Sequence, residues 1–230
     1  MSSRPRPGLA IFDCDGTLVD SQHVIVACMS AAFSAESLAP PPSAAVRQVI
    51  GLPLQECMAR LAPDQGEGRH ERLVEHYKDS FFTLRQDPAH HEPLFDGALE
   101  AIDALEEAGF VLGIATGKAR RGLLAILDRL GLTHRFATLQ TSDLPPGKPH
   151  PAMLERAMAE TGFDPADTIM IGDTTFDMQM ARSARTAAMA VSWGYHPVDE
   201  LRAAGAHMVV DHFHELSHRL RELQWRTQCA

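Results

Sequence analysis

Three short polar clusters stand directly behind apolar runs. Asp13-Cys14-Asp15-Gly16-Thr17 follows Leu9-Ala10-Ile11-Phe12, Thr116-Gly117-Lys118 follows Phe110 to Ala115, and Gly172-Asp173-Thr174-Thr175-Phe176-Asp177 follows Thr168 to Ile171. On extended chain Asp13 and Asp15 point the same way, roughly 7 Å apart. Carboxylates gathered at a strand mouth repel one another unless a cation lies between them. Hard oxygen donors suit Mg2+, which uses one or two carboxylates together with substrate oxygens and water. A lone Asp at a strand end is more often a turn former or a helix cap, and Asp173 before Thr174-Thr175 fits that role as well. The string Asp-x-Asp-Gly-Thr is more specific, arising by accident on the order of once in several hundred chains of this length.

For such clusters to meet, their strands must lie parallel in one open sheet, where ligands collect at the carboxyl ends. Four-residue apolar runs with no polar alternation are what a sheet buried on both faces requires. From Pro93 onward helices and strands alternate, as an α/β sheet demands. Helices are expected over 98–108, 121–130, 152–160, 176–184, 198–203 and 213–223, and strands over 9–12, 110–115, 168–171, 187–192 and 208–210. Between residues 20 and 92 the texture differs: apolar residues recur at helical spacing (Ile25, Cys28, Met29, Ala32, Phe33, then Leu54, Met58, Leu61) with no strand pattern. The expected organisation is therefore a core of 1–19 and 93–230 carrying an all-helical insert at 20–92, a lid over the strand mouths.

Composition narrows the function. With 21 Lys+Arg against 30 Asp+Glu, the net charge of −9 argues against nucleic-acid or anionic-membrane binding. An anionic ligand would need local positive charge from a metal or a few placed lysines. No apolar run approaches the ~20 residues of a membrane span, and Met1 to Pro7 lacks the pattern of a signal peptide. Cys14, Cys28, Cys57 and Cys229 form no CxxC pair, which points to the reducing cytoplasm rather than to a disulfide framework or a zinc site. Oligomeric state is open between monomer and homodimer.

Taken in order, Asp13-Cys14-Asp15-Gly16-Thr17, Thr116-Gly117, Lys148-Pro149 and Gly172-Asp173-Thr174-Thr175-Phe176-Asp177 resemble the four motifs of the haloacid dehalogenase (HAD) superfamily. The chain is most similar to the phosphoglycolate-phosphatase-like group with a helical cap, including Leu18-Val19-Asp20-Ser21 and Trp193-Gly194-Tyr195. The resemblance implies a Rossmann-like α/β core and a Mg2+-dependent phosphomonoesterase that works through an aspartyl-phosphate. Asp13 is then the nucleophile and Asp15 the acid and base. Thr116, Gly117 and Lys148 hold the phosphoryl group. Asp13, Asp15 (through its carbonyl) and Asp173 hold Mg2+, and Asp177 is an outer partner that orients them. Composition alone would leave Lys148 in solvent; the motif reverses that. Lys118, Arg120 and Arg121 are expected at the surface, as are the pairs His90-His91 and His212/His214. Cys14, between two carboxylates, is not expected to be nucleophilic, and Met178 and Met180 are expected to pack.

Asp15 favours an oxygen leaving group over a halide. The mutase branch usually has a His where Ile25 stands and an Arg where Leu54 stands, so the expected activity is phosphatase. Its substrate is a small phosphorylated metabolite: phosphoglycolate by resemblance, or else a sugar phosphate or nucleoside monophosphate. A non-catalytic binder of phosphorylated ligands is the rival class. The cap loop Arg47 to Pro53 is expected to face the substrate. One departure from the family is Ser183-Ala184-Arg185-Thr186, where relatives have Ala-Gly: a left-handed Arg185 would cost roughly 1 kcal/mol.

Overall fold

In the computed structural model, residues 8–84, 86 and 92–220 are described. His90-His91, Cys229 and the last three residues of the expected 213–223 helix fall outside them. Six parallel strands form one sheet: β1 (Leu9–Phe12), β2 (Val111–Ala115), β3 (Thr138–Gln140), β4 (Thr168–Gly172), β5 (Ala187–Val191) and β6 (Met208–Val210). Their order is β3-β2-β1-β4-β5-β6, so the chain winds outward from β1 on one side and from β4 on the other. The reversal falls between β1 and β4, where a crevice opens at the carboxyl ends.

The apolar run of β1 is divided between two cores. Ala10 and Phe12 face one layer, with Ile102, Leu105, Leu123 and Leu127. Leu9 and Ile11 face the other, with Met153, Leu154, Met178 and Met180. Burial on both faces explains why this strand shows no polar alternation. The helices supplying those layers are α5 (Ala98–Glu107), α6 (Arg120–Leu130), α7 (Ala152–Thr161), α8 (Thr175–Ser183) and α9 (Val198–Ala204). Each lies within a residue or two of its expected bounds. At the carboxyl end of the chain a 3-10 turn, Phe213–Glu215, runs into a helix over 216–220.

Strand β3 was not expected. It is a three-residue edge strand pairing Gly113 with Thr138 and Ala115 with Gln140. Two of its three side chains are polar. They are buried because other side chains satisfy them: Thr138 donates to Glu160, and Gln140 accepts from Arg156 at 3.0 Å.

Between β1 and α5 lie α1 (Gln22–Ala35), α2 (Ser43–Arg47), α3 (Leu54–Leu61) and α4 (Glu67–Leu84). They gather around an apolar cluster of their own, with Met29, Phe33, Met58 and Leu73 at its centre. Phe176 and Tyr195 reach into that cluster from the sheet side. The chain leaves for these helices and returns from them on adjacent paths. Val19 bridges Leu94 in antiparallel fashion, and the Asp20 N–H donates to the Pro93 carbonyl at 2.8 Å. No helix among the described residues is long and apolar enough to cross a membrane.

Helix α8 ends as the sequence departure suggested. Arg185 adopts a φ of 60°, while the N–H groups of Arg185 and Thr186 return to the carbonyls of Arg182 and Ala181. A non-glycine residue thus closes this helix in the geometry glycine normally takes.

Candidate active site

Register fixes where the clusters meet. Phe12 pairs with Ile114 on one side and Ile171 on the other. The next residues, Asp13, Ala115-Thr116 and Gly172-Asp173, therefore end at one level around the crevice. Carboxylate oxygens of Asp13, Asp173 and Asp177 lie within 4.8 Å of one another, and all three residues are buried.

Each side chain is held by a separate device. Asp13 Oδ1 accepts the Cys14 N–H at 2.6 Å. Asp173 accepts the Thr17 hydroxyl at 2.8 Å and the Tyr195 N–H at 2.9 Å. Gly16, with a φ of 83°, sits so close to Asp173 that a Cβ there would strike its carboxylate; a side chain at this turn would be both strained and obstructed. Thr174 caps α8 by accepting the Asp177 N–H. In return Asp177 Oδ2 accepts the Thr174 N–H at 3.0 Å and its hydroxyl at 2.7 Å. The helix cap is thus Thr174, and Asp173 is left to face the crevice.

Lys148 Nζ, with no exposed side-chain surface, lies 2.9 Å from Asp13 Oδ2 and 2.6 Å from Asp177 Oδ1. Burial works against its charge, but Asp13 and Asp177 outweigh burial and push its pKa up. The carboxylates show the opposite strain. Burial, with Asp177 and Asp15 adding to it and Lys148 opposing, raises Asp13 from its ordinary 3.8 to about 7. Burial and the charges of Asp13 and Asp177 hold Asp173 well above the usual carboxylate range. Fully ionised, the three carboxylates outweigh the one ammonium by two charges. Asp13 Oδ2 and Asp177 Oδ1 are fully buried and accept no well-aligned hydrogen bond. An all-oxygen donor set with a deficit of two charges fits a hard divalent cation.

Asp15 turns away from this trio. Its Oδ1 accepts the Ser21 hydroxyl at 2.6 Å and lies 3.1 Å from Lys118 Nζ. Lys118 corrects the surface expectation. Its side chain is only 9% exposed, it also contacts Glu92 at 3.5 Å, and it lies 4.7 Å from the centre of the Phe81 ring. Burial opposes its charge, and Asp15 and Glu92 more than offset that and raise its pKa. Composition places a lysine in solvent; here two acids distant in sequence draw it inward. Glu92, buried at the return path from the helical segment, was missed for the same reason. Tyr195, named in the sequence only within Trp193-Gly194-Tyr195, places its hydroxyl 3.4 Å from Ser21 Oγ, and His196, not singled out there, accepts the Thr175 N–H at Nδ1.

Thr116, buried after β2, accepts the Lys118 N–H at 3.2 Å, which leaves its own hydroxyl proton free for another acceptor. At Gly117 a Cβ would stand 2.5 Å from the Gly51 carbonyl oxygen and 2.7 Å from that of Leu52. The loop 47–53 thus closes directly onto the second motif, and only glycine admits the approach. A cavity of about 600 Å3 connects Asp13, Asp15 and Thr116 with Val49 to Leu54, and with Ile25 and the inner face of α4. Ile25 and Leu54 present apolar side chains at the positions where the mutase reading needs a His and an Arg. Arg47 is not among the residues lining the cavity.

Other expectations resolve simply. Burial, then Asp15, pushes the Cys14 thiol well up, so it is no nucleophile. Met178 and Met180 are core residues. His212 and His214 are exposed and stack on one another. Among the described residues the only group of three potential metal-binding side chains is Asp13, Asp173 and Asp177.

Residues 10–191 match the family of haloacid dehalogenase-like hydrolases. The "Probable phosphatase IndB" of Dickeya dadantii is 37% identical over 90% of this chain and 91% of its own. The N-acetylmuramic acid 6-phosphate phosphatase of Pseudomonas aeruginosa is 31% identical over 93% and 94%. The phosphoglycolate phosphatase of Xylella fastidiosa is 35% identical over 84% of each. A crystal structure of a hydrolase from Pseudomonas syringae superposes with a TM-score of 0.83 at 27% identity, covering 94% of this chain and 98% of that one. With motifs, topology and relatives in agreement, the chain belongs to the haloacid dehalogenase-like hydrolases, among their phosphoglycolate-phosphatase-like phosphatases.

Proposed function

We propose that the protein is a Mg2+-dependent phosphomonoesterase acting on a small phosphorylated metabolite through an aspartyl-phosphate at Asp13. The observation that carries this reading is the fully buried Lys148 ammonium, clasped between Asp13 and Asp177 with Asp173 alongside. A carboxylate attacking a phosphate dianion must overcome repulsion, and fixed positive charge beside the nucleophile offsets it. Asp13, the Asp15 carbonyl and Asp173 would hold Mg2+, while Asp177 keeps Lys148 on the nucleophile. When bound, the ion supplies further positive charge to the phosphoryl oxygens.

Attack of the Asp13 carboxylate on phosphorus displaces the alcohol, and Asp15 gives that oxygen a proton as it leaves. Asp15 then takes a proton from the water that opens the acyl phosphate, restoring Asp13 and releasing phosphate. Ser21 and Lys118 hold Asp15 in place between those steps. The Thr116 hydroxyl and the Gly117 amide are donors for the phosphoryl oxygens. We assign residues 1–19 and 93–230 to the core and 20–92 to a cap, with the paired paths at Val19 and Leu94 as the hinge. Closure of loop 47–53 over Gly117 excludes bulk water from the acyl phosphate.

The test is phosphate release over a panel of phosphorylated metabolites with Mg2+, comparing wild type with Asp13→Asn. We expect release that chelation abolishes and that falls by at least ~10³-fold in the variant. Unchanged turnover by Asp13→Asn refutes the nucleophile. Tight binding of one phosphorylated metabolite without turnover favours the non-catalytic binder.

A further inference from the structure

The phosphatase reading leaves open what the phosphate is attached to, and the cavity speaks to that. We infer, resting on that reading, that the substrate's leaving group is a ring-sized body with an apolar face rather than a two-carbon acid. The cavity of about 600 Å3 is continuous with Asp13, Asp15 and Thr116 and falls within the ~300–1,000 Å3 that holds drug-sized ligands. Its apolar wall is made by Met29, Ile50, Leu52, Val74, Tyr77 and Phe81, with Gln55, Lys78 and Arg121 also on the lining. Tyr77 and Phe81, one turn apart on α4, stack with ring centres 5.9 Å apart and planes 24° from parallel. Both rings line the cavity, and the Lys118 ammonium lies 4.7 Å from the centre of the Phe81 ring.

A two-carbon acid would leave most of this space as water against apolar walls, which is unfavourable. Its carboxylate would also need a cation. Lys118 already serves Asp15 and Glu92, so a further acid beside that pair would be held poorly; the other cations on the lining, Lys78 and Arg121, are exposed, where solvent screening weakens their hold on a carboxylate. A flat ring against Tyr77 and Phe81, with aliphatic walls opposite, satisfies both volume and chemistry.

The test uses the full chain with Mg2+ and four esters. 4-Nitrophenyl phosphate, with its activated leaving group, reports the phosphatase itself. Ethyl phosphate and 2-phenylethyl phosphate share a primary alkoxide leaving group, so their ratio of kcat/KM reads the cavity alone. 2-Phosphoglycolate is the competitor. Burial of a phenyl ring should raise kcat/KM for 2-phenylethyl over ethyl phosphate by roughly ten- to hundredfold, and 2-phenylethyl phosphate should also exceed 2-phosphoglycolate. Val74→Trp, which fills the space, should bring the ratio to within about threefold of unity. A ratio is independent of how much of the variant is folded. Calorimetry with the non-hydrolysable 2-phenylethylphosphonate and ethylphosphonate should give the same order of affinity, with the more negative heat-capacity change for the aromatic ligand. A ratio at or below one, or 2-phosphoglycolate outrunning 2-phenylethyl phosphate, overturns the inference and leaves the phosphatase reading standing. No Mg2+-dependent release from 4-nitrophenyl phosphate overturns both.

Discussion

Replacing Lys148 with methionine isolates the charge on which the site depends. The stem length is kept, so packing against neighbouring side chains changes little, while the ammonium 2.9 Å from Asp13 and 2.6 Å from Asp177 is lost. Removing one partner of a buried ion pair costs about 3–5 kcal/mol, chiefly because the other charge is left buried and unpaired. Here the lower end applies, because one of the abandoned groups has an escape. With Lys148 in place Asp13 already sits near pKa 7, so at neutral pH it can take up a proton for little further cost. We therefore expect Lys148→Met to lose about 3 kcal/mol in urea unfolding with the metal chelated. Excess Mg2+ should recover much of that loss, because the variant's trio carries one more negative charge than the wild type's when fully ionised. The same escape silences the nucleophile: a protonated Asp13 cannot attack, and kcat should fall by at least ~10²–10³ even when Mg2+ is saturating. Chelated stability within about 1 kcal/mol of wild type, or kcat within tenfold, refutes the assignment of Lys148 as the cation that holds Asp13 ionised.

Three further outcomes follow from other contacts. Because Asp13 has its folded pKa raised from 3.8 to about 7, its contribution to stability is fully present below 3.8 and is lost as pH rises toward 7. That loss is worth about 4 kcal/mol, so the metal-free protein should lose urea resistance between about pH 4 and 7 and excess Mg2+ should flatten the slope; a flat metal-free profile sinks the charge argument. Lys118→Met removes the contacts to Glu92 and Asp15 at 3.5 and 3.1 Å, so kcat should drop roughly ten- to hundredfold with little change in KM, and steady-state kinetics showing kcat intact would return Lys118 to a purely structural role. Arg185→Gly relieves a left-handed arginine at a φ of 60° and should add about 0.5–1 kcal/mol, read as a melting point about 2 °C higher with kcat unchanged.

What could be read in the sequence, and what could not, divides along physical lines. β1 and β4 are legible because burial on both faces demands unbroken apolar runs, and Leu9 to Phe12 serve both core layers. β3 is not legible: it is short, and Thr138 and Gln140 bury polar atoms that Glu160 and Arg156 satisfy from α7, so the local pattern reads as loop. The motif residues Asp13, Thr116, Lys148 and Asp173 are placed together because each follows a strand or packs on one that does. Lys118 and Glu92 escaped because a residue's burial depends on partners that composition does not reveal. Their separation of 26 positions spans the junction between the helical segment and the sheet.

That pair also answers the question raised by the acidic balance. A chain of net charge −9 that handles a phosphate dianion needs local positive charge, and it buries two lysines at the strand ends, Lys148 against Asp13 and Lys118 against Asp15, rather than building a basic surface. Lys148 ties the tip of β1 to α8 through Asp13 and Asp177. Lys118 ties the following loop, through Asp15, to Glu92 where the chain returns from the helices. Around Lys148 the fully ionised trio leaves −2, so a divalent ion bound there would bring the pocket to neutrality and spare a phosphate dianion net repulsion. Around Lys118, Glu92 balances the ammonium while Asp15 carries the proton it is to give. No metal need serve that second group, because Ser21 and the lysine already occupy Asp15. The two carboxylates of the first motif, two residues apart, are thereby separated: Asp13 joins Asp173 and Asp177 around Lys148, and Asp15 is held by a lysine that also lies against Phe81 of α4.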